Sequence, residues 1–235
     1  MIKNLMAAVV LSMVPVTYAM AQDVNLEQWV ESGIFSEGLC YVKDANDKYG
    51  FVDEEGKLVI SCQWKDAWAF SEGLAAVKDA NGRKGFIDKT GKLVIPCQWN
   101  FAGDFSEGLA WISDDEGARG FIDKTGKLVI PCQWNFAGDF SEGLAWVEDY
   151  DDKYGFIDTT GKVVIPCQWD DASQFSEGLA VVRDANFKLG YIDTTGKLVI
   201  PCQWEGAYSF SEGVASVEDA DGNWHTIDKT GKMVE

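Results

Sequence analysis

Tryptophan stands at Trp29, Trp64, Trp99, Trp134, Trp169 and Trp204, each 35 residues from the next. The run Phe-Ser-Glu-Gly keeps the same period, starting at Phe35, Phe70, Phe105, Phe140, Phe175 and Phe210. Between these marks the string FIDKTGKLVIPCQWNFAGDFSEGLAW occurs letter for letter at residues 86–111 and 121–146, and no insertion or deletion disturbs the count. A fixed period of this length means that one supersecondary unit is copied and stacked, because a single copy cannot bury its own apolar faces. A residue fixed in every copy serves the repeat rather than one reaction, which argues against a single asymmetric catalytic centre.

Each period holds three short apolar runs separated by turn chemistry, the pattern of an antiparallel meander. In the second copy, residues 73–78 read as a first strand, 79–82 as a turn, 85–88 as a second strand and 93–99 as a third. Asp88 and Gly91 predict a type I turn with a bulge between the last two strands, the aspartate accepting from the turn backbone. Alternation assigns Leu93, Ile95, Cys97 and Trp99 to a core face. The adjacent Phe86 and Ile87 point to opposite faces, so each small sheet needs cover on both sides, and face-to-face stacking supplies it. The expected fold is all-β, with six tandem 35-residue repeats of three antiparallel strands.

The sixth copy ends at Glu235, part-way through its third strand, whereas residues 24–29 resemble that missing strand. The split strand favours a propeller-like ring closed by residues 24–29. The alternative is an open superhelical array with capped ends. The first and last copies read as about as apolar as the inner ones.

Residues 1–21 are of another kind. Lys3 precedes an apolar run over 5–18, and Ala19-Met20-Ala21 forms a small-x-small cleavage site before Gln22. This predicts a signal peptide and an exported chain, periplasmic or secreted, with one repeat domain over 22–235. The first cysteine is Cys40, too far on for a lipid anchor. The whole chain has 20 basic and 38 acidic residues and a net charge of −18. Losing Lys3 with the signal leaves 19 against 38, or −19. Such a surface disfavours nucleic acid and anionic membrane, and no membrane insertion is expected.

The recurrent G-F/Y-I-D-x-x-G-K-x-V-I-P, followed by an aromatic and F-S-E-G-L-A-x-V, resembles the bacterial WG-repeat proteins, with six successive matches over residues 28–235. One position departs from the family pattern. The tryptophan of the Trp-Gly pair is replaced by Tyr49, Lys84, Arg119, Tyr154 and Leu189, and Trp224, which keeps it, is followed by His225. The resemblance implies an interaction module of exported or surface-associated proteins, without catalysis and with its ligand unspecified.

The residue chemistry agrees with a binding role. Cys62, Cys97, Cys132, Cys167 and Cys202 occupy equivalent places in successive copies. Sheets stacked about 10 Å apart hold them too far from one another to bridge. Cys40 stands apart from that row, and its candidate partner within the copy is Cys62. There is no Cys-x-x-Cys pair, and His225 is the single histidine, so neither zinc nor a Ser-His or Cys-His centre is expected. The recurrent Glu37, Glu72, Glu107, Glu142, Glu177 and Glu212, like the aspartates Asp53, Asp88, Asp123, Asp158, Asp193 and Asp228, read as turn caps rather than a glycosidase pair, which is needed once and not six times. The acidic stretches 149–152 and 219–221 lack EF-hand spacing and read as solvated loops. No cofactor or metal and a monomeric chain are expected.

Positions that vary on a constant frame carry the recognition in repeat proteins. In the first strand these are Tyr41, Ala76, Trp111, Trp146, Val181 and Ser216, and in the connector Trp68, Phe101, Phe136 and Tyr208. The candidate binding residues are therefore Tyr41, Trp68, Phe101, Trp111, Phe136, Trp146 and Tyr208, whose rings stack on a ligand or pack between repeats. The expected function is a non-catalytic scaffold for a protein partner. The alternative is a glycan or cell-envelope binding module that uses exposed aromatic rings.

Overall fold

A computed structural model describes Leu26 and residues 28–234. The expected signal peptide lies outside the described residues, as do Val24, Asn25 and Glu27 of the strand expected to close a ring. All regular elements among the described residues are β-strands, and none is a helix long and apolar enough to cross a membrane.

The first sheet contains β1 (Glu31–Ser32), β2 (Leu39–Lys43), β3 (Tyr49–Asp53) and β4 (Leu58–Trp64), antiparallel and in chain order. The second repeats it with β5 (Asp66–Ser71), β6 (Leu74–Lys78), β7 (Lys84–Asp88) and β8 (Leu93–Trp99). The third contains β9 (Phe101–Ala102), β10 (Leu109–Ser113), β11 (Arg119–Asp123) and β12 (Leu128–Trp134). Two further four-stranded sheets follow, then a sixth of three strands, extended among the described residues by bridges from Ser211 to Val214 and from Ile227 to Met233. The three strands read from the sequence thus gain a fourth. The connector after each tryptophan pairs with the first strand, because its backbone groups would otherwise lie against the sheet unsatisfied.

Turn chemistry follows the sequence closely. Asp88 Oδ1 accepts from the N–H of Thr90 at 2.9 Å, its hydroxyl at 2.6 Å and the N–H of Lys92 at 3.1 Å. The third strand departs from simple alternation. Lys84 faces Trp99, Phe86 faces Ile95 and Ile87 faces Leu93, with a bulge on either side of Phe86. Ile95 is enclosed, while Leu93, expected in the core, is 41% exposed at the start of this edge strand. The bulged strand presses so near the second that a Cβ at Gly85 would stand 2.5 Å from the carbonyl oxygen of Ile95. Among the described residues no such strand stands opposite the sixth repeat, and there His225 takes the glycine's place, its Nε2 lying 2.6 Å from Asp219 Oδ2.

Both faces of the inner sheets are buried, as Phe86 and Ile87 foretold. Leu74, Ala76, Phe86 and Ile95 of the second repeat form one core with Phe105, Ala110, Ile112 and Ile122 of the third. The rings of Phe86 and Phe105 meet edge to face at 4.9 Å. Equivalent pairs join Phe51 to Phe70, Phe121 to Phe140, Phe156 to Phe175 and Tyr191 to Phe210. Each such ring contributes about 1.5–3 kcal/mol by burial, available only when the next repeat is present. At its outer face the sixth repeat carries exposed Ser216 and Thr226 instead, so the last copy is not as apolar there as its neighbours. At the other end Leu26 and Trp29 cover Cys40, Val42 and Val52. No apolar cluster among the described residues joins the sixth repeat to the first.

A polar ladder runs beside these cores. Ser71 Oγ donates to the carbonyl of Phe105 at 2.7 Å, while Glu72 accepts from the N–H of Gly108 at 2.9 Å and pairs with Lys124 at 3.1 Å. Glu72 has φ +51°, in the left-handed region that a two-residue hairpin turn demands and that glutamate seldom visits. The recurrent glutamates Glu37, Glu72, Glu107, Glu142 and Glu177 therefore join one repeat to the next instead of capping their own turns. All six cysteines are free thiols; Cys40 is buried and the other five are half-buried, with no bridge between Cys40 and Cys62.

Candidate interaction surface

In each repeat a connector residue stands beside the first-strand residue eight positions later. The pairs are Gly33 with Tyr41, Trp68 with Ala76, Gly103 with Trp111, Gly138 with Trp146, Ser173 with Val181 and Tyr208 with Ser216. The backbones are bonded directly, the N–H of Gly138 to the carbonyl of Trp146 at 3.0 Å and that of Tyr208 to Ser216 at 2.9 Å. A Cβ at Gly33 would meet the Tyr41 ring at 2.2 Å, and one at Gly138 would meet Trp146 Nε1 at 2.1 Å. One slot therefore exists per repeat, and it takes one large ring, supplied from either side. The fifth repeat fills it from neither. Its small Ser173 and Val181, with Leu189, Arg183 and Tyr208, line an open cleft of about 280 Å³.

The position at which the family tryptophan was expected forms the second half of each slot. Lys84 Nζ lies 3.4 Å from the Trp68 ring centre and donates to the carbonyl of Ala102 at 3.1 Å. The Arg119 guanidinium lies 4.0 Å from the Trp111 ring and 4.7 Å from the Phe136 ring, and donates to the carbonyl of Ala137 at 2.9 Å. Tyr49 packs by Tyr41 at 6.1 Å, Tyr154 by Trp146 at 5.5 Å, and Trp224 stacks on Tyr208 at 5.2 Å and 29°. Sequence reasoning treated Tyr49, Lys84, Arg119, Tyr154 and Leu189 as departures from a pattern that Trp224 keeps, and missed the role of all six. Hairpin register carried the signal: Ser113 pairs with Arg119, which sets Arg119 diagonally across from Trp111.

Of the seven candidate residues, Trp111 and Phe136 are joined through Arg119, and Phe101 and Phe136 line one cleft. Tyr41, Trp68, Trp146 and Tyr208 each sit at their own slot. Phe101 and Tyr208 are the most open, 60% and 63% exposed, whereas Tyr41, Trp68, Trp111 and Trp146 show part of each ring and pack with the rest.

Charges along this strip are perturbed by their surroundings. Burial brings the Lys84 ammonium down to about 8, and the charge of Lys78 adds to the shift. Burial also lowers Arg119, against the pull of Glu148 and Asp139. Asp104 is raised by loss of hydration, against the attraction of Lys84. Asp139 is raised by the same cause and by the charge of Asp104, against the Trp111 indole and Arg119. The strip thus combines aromatic faces with charges already held in place, which suits recognition.

Comparison with known proteins places this geometry among repeat folds. A family model described as WG containing repeat matches residues 49–82, 85–116, 120–154, 154–186 and 190–224. No curated protein matches the chain. Among solved structures, the computationally designed Ika8 protein is 14% identical with a TM-score of 0.53, over 85% of this chain and 71% of that one. BamB from Moraxella catarrhalis is 14% identical with a TM-score of 0.50, over 87% of this chain and 75% of that one. The WD40 beta propeller domain of Doa1 is 13% identical with a TM-score of 0.40, over 74% and 68%. At these identities the first two likenesses show a shared fold and nothing of function.

Proposed function

Since the chain belongs to the WG containing repeat family, we propose that it is an exported, non-catalytic scaffold that binds a protein partner through the strip of slot residues. The observation that carries this reading is the contrast between frame and strip. The cores and the second turn repeat almost unchanged, while the slots hold Tyr41, Trp68, Trp111, Trp146 and Tyr208 and stand open at Ser173 and Val181. Variation confined to one surface of a rigid array is how repeat proteins address a ligand. The signal-like residues 1–21 support export to the periplasm or beyond.

A second reading, glycan binding, is favoured by the exposed stack of Tyr208 on Trp224, a flat platform of the kind that sugar rings cover. Immobilised protein challenged with envelope extract and with a polysaccharide panel separates the two. The scaffold reading expects one protein species to be retained, and retained less by Trp111→Ala and Trp146→Ala than by Val94→Ala on the outer edge. Retention of polysaccharide with no protein, or equal retention by all variants, contradicts it.

A further inference from the structure

Between the third and fourth repeats, adjoining the slot of Trp111 at Arg119, lies a cleft of about 280 Å³ lined in part by Phe101, Phe136 and Tyr150. These rings are 60%, 44% and 68% exposed. The cleft also contains a polar group without a partner. Ser113 is 2% exposed, and its Oγ makes no hydrogen bond among the described residues. A buried hydroxyl in that state costs free energy unless something entering the cleft satisfies it.

The other polar groups there are mostly acceptors. Asn135 donates its amide N–H to Glu148 at 2.7 Å, which leaves its carbonyl oxygen to accept, and Glu116 adds a carboxylate at the rim. Two hairpin tips flank the opening, one with Asp114, Asp115 and Glu116 and the other with Asp149, Asp151 and Asp152. Asp115 is committed to Arg83 at 2.6 Å. The one cation lining the cleft, Arg119, is held against Trp111, Phe136 and the carbonyl of Ala137. What remains is an excess of negative charge and hydrogen-bond acceptors around open ring faces.

From this we propose that the cleft receives a lysine or arginine side chain from a basic segment of a protein partner. The side chain's N–H groups meet Ser113, Asn135 and Glu116, and its charge lies over Phe101 or Tyr150 as that of Arg119 already lies over Phe136. A neutral sugar gains nothing from the acidic rim, whereas a basic peptide gains from a chain whose net charge is −18. The proposal rests on the scaffold reading and names the chemistry of the partner.

Fluorescently labelled tetra-arginine and tetralysine, with tetraglutamine and a neutral oligosaccharide as controls, test it by anisotropy. The basic peptides are expected to bind one to one, and Glu116→Gln and Tyr150→Ala, both exposed, each to weaken them by roughly five- to tenfold. Asp221→Asn, at the equivalent tip of the sixth repeat, should stay within about twofold of the parent. An equal loss in Asp221→Asn would reveal diffuse attraction and overturn the proposal, as would tighter binding of tetraglutamine or the oligosaccharide. Failure here beside an intact strip-dependent protein partner would remove the cleft and leave the scaffold.

Discussion

The N–H of Gly103 donates to the carbonyl of Trp111 at 2.9 Å, and the Trp111 indole occupies the space that a side chain at Gly103 would need, 2.1 Å from the position of its Cβ. Gly103→Ala therefore forces the indole out from under Arg119. A cost of about 1–3 kcal/mol in denaturant unfolding is expected. Trp111→Ala in the same chain should remove most of the added cost, because the clash has gone, and a double-mutant cycle reads the coupling. Additive losses would mean that the two residues do not share one slot.

Lys84 gives a pH dependence of known sign. Its folded value, about 8, lies below the ordinary 10.5 because burial disfavours the charge. Between those values the unfolded chain holds a proton that the folded chain has released, so stability rises with pH across the window and is level below it. Relative to Lys84→Met, the parent should gain up to about 3 kcal/mol between pH 8 and 10.5. Comparison with the variant cancels the opposite drift from thiols such as Cys97, which burial raises to about 11. A difference that does not change with pH would show Lys84 to be solvated.

The ladder acids titrate in the opposite sense. Burial works to raise Glu72, but the Lys124 ammonium and the Gly108 N–H outweigh it, and its carboxyl lies below the usual value of 4.5. Its contribution is complete above pH 4.5 and disappears as pH falls through the lowered folded value. Glu72→Gln should cost a few tenths to about 1 kcal/mol at neutral pH and nothing in strong acid. Where other copies have lysine, Thr159 and Thr194 stand in the sequence, so Glu107 and Glu142 keep only the bonds from Gly143 and Gly178.

Much of the architecture was legible because repetition multiplies weak signals. Period, hairpin turns and the two buried faces marked by Phe86 and Ile87 all followed from spacing. The short strand Phe101–Ala102 was not legible, since two residues carry no alternation. Leu93 was assigned to the core because a bulge shifts register without leaving a mark in the hydrophobic pattern. The candidate aromatic residues were found by their variation, but their partners were not. Lys84 and Arg119 look like surface charges until the hairpin register sets them over Trp68 and Trp111. The inverse relation of Gly103 to Trp111 and of Trp68 to Ala76 was present in the sequence eight residues apart. It acquires meaning only once the connector is known to pair with the first strand.

The fifth repeat offers the most direct test of the slot, because Ser173 and Val181 leave it unfilled. Val181→Trp alone should meet Ser173 and cost about 1–3 kcal/mol in equilibrium unfolding. Adding Ser173→Gly reproduces the pair found at Gly138 and Trp146, and should restore stability to within about 1 kcal/mol of the parent. If the single and double variants unfold at the same denaturant concentration, large and small residues are not exchanging one space, and the account of the strip is wrong.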